Sequence, residues 1–533
     1  IYAPMGGGKS VQLNALNTAL VLSAGMEELP FVRILDIGPS SQGFVSLIQE
    51  GLTPSQRHLA VYRRLRNSVE DAINPCDTPL GMRSPLPQQR AFLVNFLSLL
   101  STPIGHTTPQ ADVSNVIGTA IDEAYRIYRH DGRQCKRYDR NVDRAVDRVI
   151  EQLALHVDDR TTWWEVADAL FAADRPVEAG LAQRHAVPNI GDIAGACNEE
   201  RVRSQFGGMA ANGEPITSYV YRQLTQAIRE YPILARSTNF GLGAARIVSL
   251  DLAEVAPRGG AAADRQTAVM YLLGRHVLTC EFFMQEEHLE IADMPVVYRD
   301  LHLKQIRYMK SAAKRLVLDE LHRASSAGPL VINQVELDIR EGRKDNLEIV
   351  LASQQLDDFS GTMVDLATTI MIMGAGQKTR EDTLKTFRLG REILPMLDRI
   401  GRPTKEGSRF LGIFETKNGR YVHELMLTLS STELWAFNST AEDRAIRGAL
   451  YTRLGPAAAR YVLAKAYPGG SALEDVERRR TEMSKVAHAM SVDEASASVI
   501  DTIVIELMAL HERAMREVMV DEMLVDPGVE EAA

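Results

Sequence analysis

The chain has 533 residues, is 45% hydrophobic and 24% charged, and carries a net charge of -10. This is an ordinary balance for roughly two to four globular domains, and it excludes a global basic field for nucleic acid while leaving room for a local basic channel. Cys76, Cys135, Cys197 and Cys280 lack C-x-x-C spacing, which points away from zinc or a disulfide framework and toward a reducing cytoplasm, and no apolar run approaches the roughly 18 residues of a membrane span.

The first element is APMGGGKS, Ala3 to Ser10. It fits the phosphate-loop pattern A/G-x-x-x-x-G-K-S/T, with Ala3 where the stricter form has glycine. Only Ile1 and Tyr2 stand ahead of it, so the strand feeding the loop is a stub and an upstream region is expected. In such a loop Met5, Gly6, Gly7 and Gly8 wrap phosphate oxygens with backbone N–H groups. Lys9 reaches the β- and γ-phosphates, Ser10 ligates Mg²⁺, and Val11 stands at the head of the next helix, whose positive end faces the anion. These residues form the expected ATP and Mg²⁺ site. A glycine-rich turn before a helix that binds nothing is the competing reading.

Further along, FVRILDIG (Phe31 to Gly38) reads as a buried strand ending in Asp36, and ARIVSLDLAEV contains another ending in Asp251. Between them, from about 74 to 243, apolar residues recur at three- and four-residue spacing in RAFLVNFLSLL, VSNVIGTAIDEAYRIYRH, DRAVDRVIEQLAL and PITSYVYRQLTQAIREY. That pattern predicts an all-helical subdomain inserted into an α/β unit. Its stretch RQCKRYDRNVDRAVDR reads first as a solvated helix face and second as a nucleic-acid or partner patch. Trp163 and Trp164 read first as packing and second as a base-stacking platform.

Next comes RLVLDELHRA. Leu316, Val317 and Leu318 form an apolar strand whose carboxyl end carries Asp319, expected to hold Mg²⁺ through water, and Glu320, the expected general base. A helix start after a core strand is the alternative. NLEIVLASQQ adds a strand ending near Gln354, placed to sense the γ-phosphate from between the loop and the acidic pair, or merely a polar strand end. TTIMIMGAG gives one more strand, SRFLGIF and YVHELMLTLS a strand pair, and Thr432 onward is helical. Repeated buried strands alternating with helices indicate a parallel central sheet. The long amphipathic helix within 490–520 could pack on the core or on a neighbour, and the DPGVEEAA tail is expected to fray. Arg340, Arg343 and Lys344 precede the Gln354 strand and are surface residues or a trans-acting arginine source.

Six segments carry a resemblance: APMGGGKS, RILDIGPSSQGF, INPCDTPLG, RLVLDELHRA, REGRKDNLEIVLASQQ and TELWAFNSTAEDRAIR. On them the chain resembles the IcmB/DotO proteins of type IVB secretion and the related TraU proteins of I-type conjugation, large ATPases of the VirB-four class. The resemblance implies a RecA-like P-loop NTPase and a missing N-terminal domain. Its core would run over 1–73 and 244–430, with the helical insertion at 74–243 and a helical C-terminal region at 431–533. It implies a homo-oligomeric, hexameric ring, possibly stacked with itself, that is cytoplasmic and peripherally associated with the inner membrane. Its partners would be other secretion ATPases, inner-membrane complex proteins, and a protein or DNA substrate. Carried over by position, Lys9 and Ser10 bind nucleotide and Mg²⁺, Asp319 and Glu320 are the Walker B acids, Gln354 is the sensor and Arg343 the arginine finger. The function implied is ATP hydrolysis that powers secretion or conjugation; a DNA-translocating ring and a mainly structural docking platform are the alternatives.

Overall fold

All six residues of FVRILD are buried, as a strand covered on both faces requires. The computed structural model describes residues 1–25, 28–326, 328–404, 406–486 and 492–525. In chain order the strands are β1 (Phe31–Asp36), β2 (Ala60–Arg64), β3 (Ala210–Ala211), β4 (Glu214–Pro215) and β5 (Ile247–Asp251). They continue with β6 (Lys314–Leu318), β7 (Leu347–Leu351), β8 (Thr369–Ile372), β9 (Ser408–Thr416) and β10 (Gly419–Leu427).

Five of them form a parallel sheet in the order β2-β5-β1-β6-β7. Asp36 lies opposite Asp251, and Leu318 opposite Leu351, so the carboxyl ends share one edge. Alternation along β1 sorts its side chains. Val32 and Ile34 pack with Ile247 and Val317 beneath the helices Lys9–Ala24 and Gln42–Gly51. Phe31 and Leu35 pack with Leu250, Leu316 and Leu318 on the other face, against the helices Pro87–Ser101, Val113–Tyr128 and Ala261–Thr279.

The stub ahead of the phosphate loop is a strand position in its own right. Tyr2 bridges in parallel to Ser353 and to Ile372. Ala3 N donates to Ser353 O at 3.1 Å and Tyr2 N to Met371 O at 2.9 Å. The stub therefore sits between the end of β7 and β8, and β8 continues antiparallel into the β9–β10 pair.

Two elements depart from the sequence expectations. β2 is an edge strand whose residues Arg63 and Arg64 are exposed, so it lacks the apolar run that marks its neighbours. The region between β2 and β5 is not wholly helical, because β3 and β4 form a short antiparallel hairpin. Its turn is Asn212-Gly213, with both φ values positive, the chemistry that favours a tight hairpin. Around it run helices that include Arg144–Gln152, Trp163–Ala172, Pro176–Ala186 and Ile216–Glu230.

Trp163 and Trp164 are buried with Val146, Val149 and Leu170, so the base-stacking reading is set aside. Three of the six cations in the nearby basic stretch pair with acids: Lys136 with Asp192 at 2.7 Å, Arg133 with Glu199, and Arg140 with Glu151. At the far end, the helix Val492–Val525 buries Val499, Ile503, Val504 and Leu507 against Ile446, Leu450, Val462 and Leu463. It thus packs on the helices Ala441–Leu454, Pro456–Ala466 and Leu473–Val486 rather than on the central sheet. Met490, Ser491 and the DPGVEEAA tail lie outside the described residues.

The TELWAFNSTAEDRAIR segment is a structural clasp. Buried Asp443 accepts from Asn438 Nδ2 at 2.7 Å, Ser471 Oγ at 2.6 Å and Ala472 N at 2.8 Å. Arg447 donates to the carbonyls of Trp435, Ala436 and Asn438. The clasp presses on the helix after β1: a Cβ on Gly43 would fall 1.7 Å from Ala436 O, so only glycine fits there.

Candidate nucleotide site

The phosphate loop owes its shape to its glycines. Gly6 and Gly8 have φ values of 76° and 88°, in the left-handed region that side chains disfavour. A Cβ on Gly7 would meet Pro4 O at 2.9 Å, and one on Gly8 would meet Pro403 Cγ at 3.2 Å. Gly8 caps the helix Lys9–Ala24, and the first intrahelical bond to Gly8 O comes from Gln12 N. The first-turn N–H groups of Lys9, Ser10 and Val11 thus have no carbonyl within the helix to serve, and they are the anion-binding groups of such a terminus. Met5 projects into solvent and Ser10 is half-buried.

Lys9 reaches the acids that follow β6. Its Nζ lies 2.6 Å from Asp319 Oδ1 and also pairs with Glu320 Oε1. Lys9 is 7% exposed; burial alone would lower its pKa, but Asp319 and Glu320 raise it. Glu320 has a φ of 58°, and its N–H turns back to Asp319 Oδ1 at 2.8 Å. Gln354, just past β7, donates Nε2 to Glu320 Oε1 at 3.1 Å and Oε2 at 3.2 Å. His322 Nδ1 stands 3.0 Å from Glu320 Oε2. Burial pushes the Glu320 pKa up, yet the His322 hydrogen bond and then Lys9 outweigh it, bringing it to about 2.

Five of the sequence-predicted residues therefore meet at one place: Gly8, Lys9, Asp319, Glu320 and Gln354. Arg343 does not join them. It is exposed at the amino end of β7, roughly 15 Å of strand from the carboxyl edge. Arg340 pairs with Glu336 at 3.1 Å and Lys344 with Glu341 at 2.7 Å, both on that same far side. Sequence reasoning missed His322, although it lies two residues past the acidic pair, and gave no role to Ser40, whose hydroxyl lies 3.4 Å from Asp319 Oδ2.

The residues present fit a magnesium nucleotide. The cradle excludes Cβ atoms at Gly7 and Gly8, and a lysine is buried beside two carboxylates. Ser408, 8% exposed beside Gly8, has a hydroxyl without a protein partner. Among the described residues no group of three or more His, Cys, Asp or Glu side chains is arranged to hold a metal. Mg²⁺ itself binds through one or two protein oxygens together with phosphates and water, and Asp319 offers such an oxygen beside Lys9.

The deciding feature is the strand order. β7, carrying Gln354 past its end, lies between the strand entering the phosphate loop and the strand ending in Asp319-Glu320. The chain has a RecA-like P-loop NTPase fold. The chain is similar to VirB4 of Thermoanaerobacter pseudethanolicus, with 14% identity over 80% of this chain and 88% of that one, at a TM-score of 0.46. It is also similar to the bacterial conjugative coupling protein TrwB, with 11% identity over 80% of this chain and 85% of that one, at a TM-score of 0.39. Likenesses this loose carry no weight for function. No protein-family model and no curated protein matches the chain. Among the described residues no helix is long and apolar enough to cross a membrane.

Proposed function

We propose that the chain hydrolyses ATP and that this energises a type IVB secretion or conjugation apparatus. The observation that carries the first half is the meeting of Lys9 with Asp319 and Glu320 beneath a glycine cradle, with Gln354 bonded to Glu320. The second half rests on the six segments that resemble IcmB/DotO and TraU. In this reading the core comprises 1–73 and 244–430, 74–243 is an insertion, and 431–533 is a C-terminal helical region.

The loop amides and Lys9 bind and orient the triphosphate. Ser10 and Asp319 would hold Mg²⁺, which would supply charge neutralisation at the phosphates. Glu320 orients the attacking water and takes its proton. Its low pKa in the Lys9 contact makes it a weak base there. As Lys9 shifts toward a phosphate oxygen, Glu320 loses one of the two partners that hold its pKa down, and its basicity rises. Gln354, bonded to the same carboxylate, keeps that water in line. Arg343, exposed on the opposite edge, serves a neighbouring subunit in a homo-oligomeric, hexameric ring at the cytoplasmic face of the inner membrane. Other secretion ATPases and inner-membrane proteins are its partners.

The test is ATP turnover and nucleotide binding by the wild type, Lys9→Ala and Glu320→Gln, with and without DNA at several salt concentrations. Hydrolysis should fall at least a hundredfold in Glu320→Gln while nucleotide binding persists. Wild-type turnover in that variant would remove Glu320 from the mechanism, and salt-sensitive stimulation by DNA would convert the reading to a DNA translocase.

A further inference from the structure

Between β1 and the helix Gln42–Gly51 lies a short turn, residues 37–41, pinned at three points. Gly38 N donates to Asp251 Oδ1 at 2.9 Å. Asn14 Nδ2, from the helix that begins at Lys9, donates to Ser40 O at 2.9 Å. Ser41 donates from its backbone N at 3.2 Å and its hydroxyl at 3.0 Å to Asp36 Oδ2. The turn is thereby fixed to both the phosphate-loop helix and the carboxyl edge of the sheet.

Its fourth residue faces the metal acid. Ser40 Oγ lies 2.6 Å from Asp36 Oδ2 and 3.4 Å from Asp319 Oδ2. The hydroxyl proton is shared unequally: its short arm goes to Asp36 and its long arm to Asp319 Oδ2. Asp319 Oδ1 is already taken by Lys9 Nζ and Glu320 N. Oδ2 of Asp319, held only by that long arm, keeps acceptor capacity for a donor from outside the chain. Asp36 and Asp319 are 1% and 2% exposed, so neither carboxylate can swing out to bulk water.

Resting on the nucleotide-site reading, we propose that Ser40, held by Asp36, is a positioning residue for Asp319. It fixes the rotation of that carboxylate so that Oδ2 receives a water of the magnesium ion accompanying the nucleotide. The serine touches neither phosphate nor metal; it acts through Asp319 alone. Outer groups of this kind typically change metal affinity by about ten- to a hundredfold when removed.

The test uses the full chain, a fluorescent ADP analogue and Mn²⁺ followed by electron paramagnetic resonance. In Ser40→Ala the Mn²⁺ concentration for half-saturation of the ADP complex should rise about tenfold. Affinity for the analogue in EDTA should stay at the wild-type value, and Ser40→Thr should restore the metal affinity. Unchanged Mn²⁺ affinity in Ser40→Ala overturns the proposal. So does an equal loss of ADP affinity in EDTA, which would make the serine a mere prop for the turn. A wild-type chain that binds no analogue in EDTA or Mn²⁺ refutes the nucleotide-site reading itself.

Discussion

Replacing Lys9 by methionine removes the cation and keeps most of the side-chain volume. The perturbation leaves Asp319, 2% exposed, and the largely buried Glu320 without the charge that pairs them. Breaking a buried pair by removing one partner costs about 3–5 kcal/mol. Glu320 is less enclosed than Asp319 and keeps His322 and Gln354, so about 3 kcal/mol is expected at neutral pH. For a cooperative unit of 150–250 residues that corresponds to a fall of roughly 6–12 °C in melting temperature. The sign of the pH dependence follows from the shifts. In the wild type the Glu320 pKa is depressed from 4.5 to about 2, so its stabilisation is present above pH 4.5 and is lost as pH falls toward 2. In the variant Glu320, without Lys9, binds a proton more readily, so the deficit relative to wild type shrinks as pH falls from 7 to 4. Thermal melts without nucleotide across that range measure both effects. A melting temperature within 1–2 °C of wild type at pH 7, or a deficit that does not change with pH, would refute the claim that Lys9 compensates buried charge.

Gln354→Ala should lower ATP turnover about tenfold with little change in nucleotide affinity, because it removes an orienting contact to Glu320 and no phosphate contact; steady-state kinetics with parallel binding titrations checks this. Gly8→Ala should weaken nucleotide binding, and its melting temperature should fall by a few degrees, since the φ of 88° and the Pro403 contact resist a Cβ. Arg343→Ala should leave nucleotide affinity intact and cut turnover about a thousandfold in the assembled form. Mixing it with Lys9→Ala should restore some activity if each subunit completes its neighbour's site, and the absence of any rescue would confine the machinery to one chain.

Much of the core could be read before the structure because a parallel strand advertises itself. FVRILD, RLVL and NLEIVL are apolar runs ending in polar groups at one edge, and all three became strands there. Lys9, Asp319, Glu320 and Gln354 carried the same legibility, since their chemistry demands fixed places relative to those runs. β2 escaped because an edge strand need not be apolar, and in AVYRR only Ala60 is fully buried, with Val61 and Tyr62 half-buried. Ser40 and His322 escaped for another reason: a serine in a turn and a histidine in a short helix look ordinary until folding brings each beside a carboxylate. The TELWAFNSTAEDRAIR segment marked the resemblance strongly, and its residues hold a clasp over Gly43.

Lys9 and Glu320 touch across 311 positions of chain. A ribosome making this protein must finish the first half of the site and then synthesise the helices between β2 and β5 before the acidic half exists. Loop closure over that distance costs more entropy than a local contact would, and rewards the chain only late. No nascent fragment that stops short of β6 can bring Asp319 or Glu320 to the cradle. The proposed hydrolysis is thereby tied to synthesis of the chain through β6, beyond its long intervening segment.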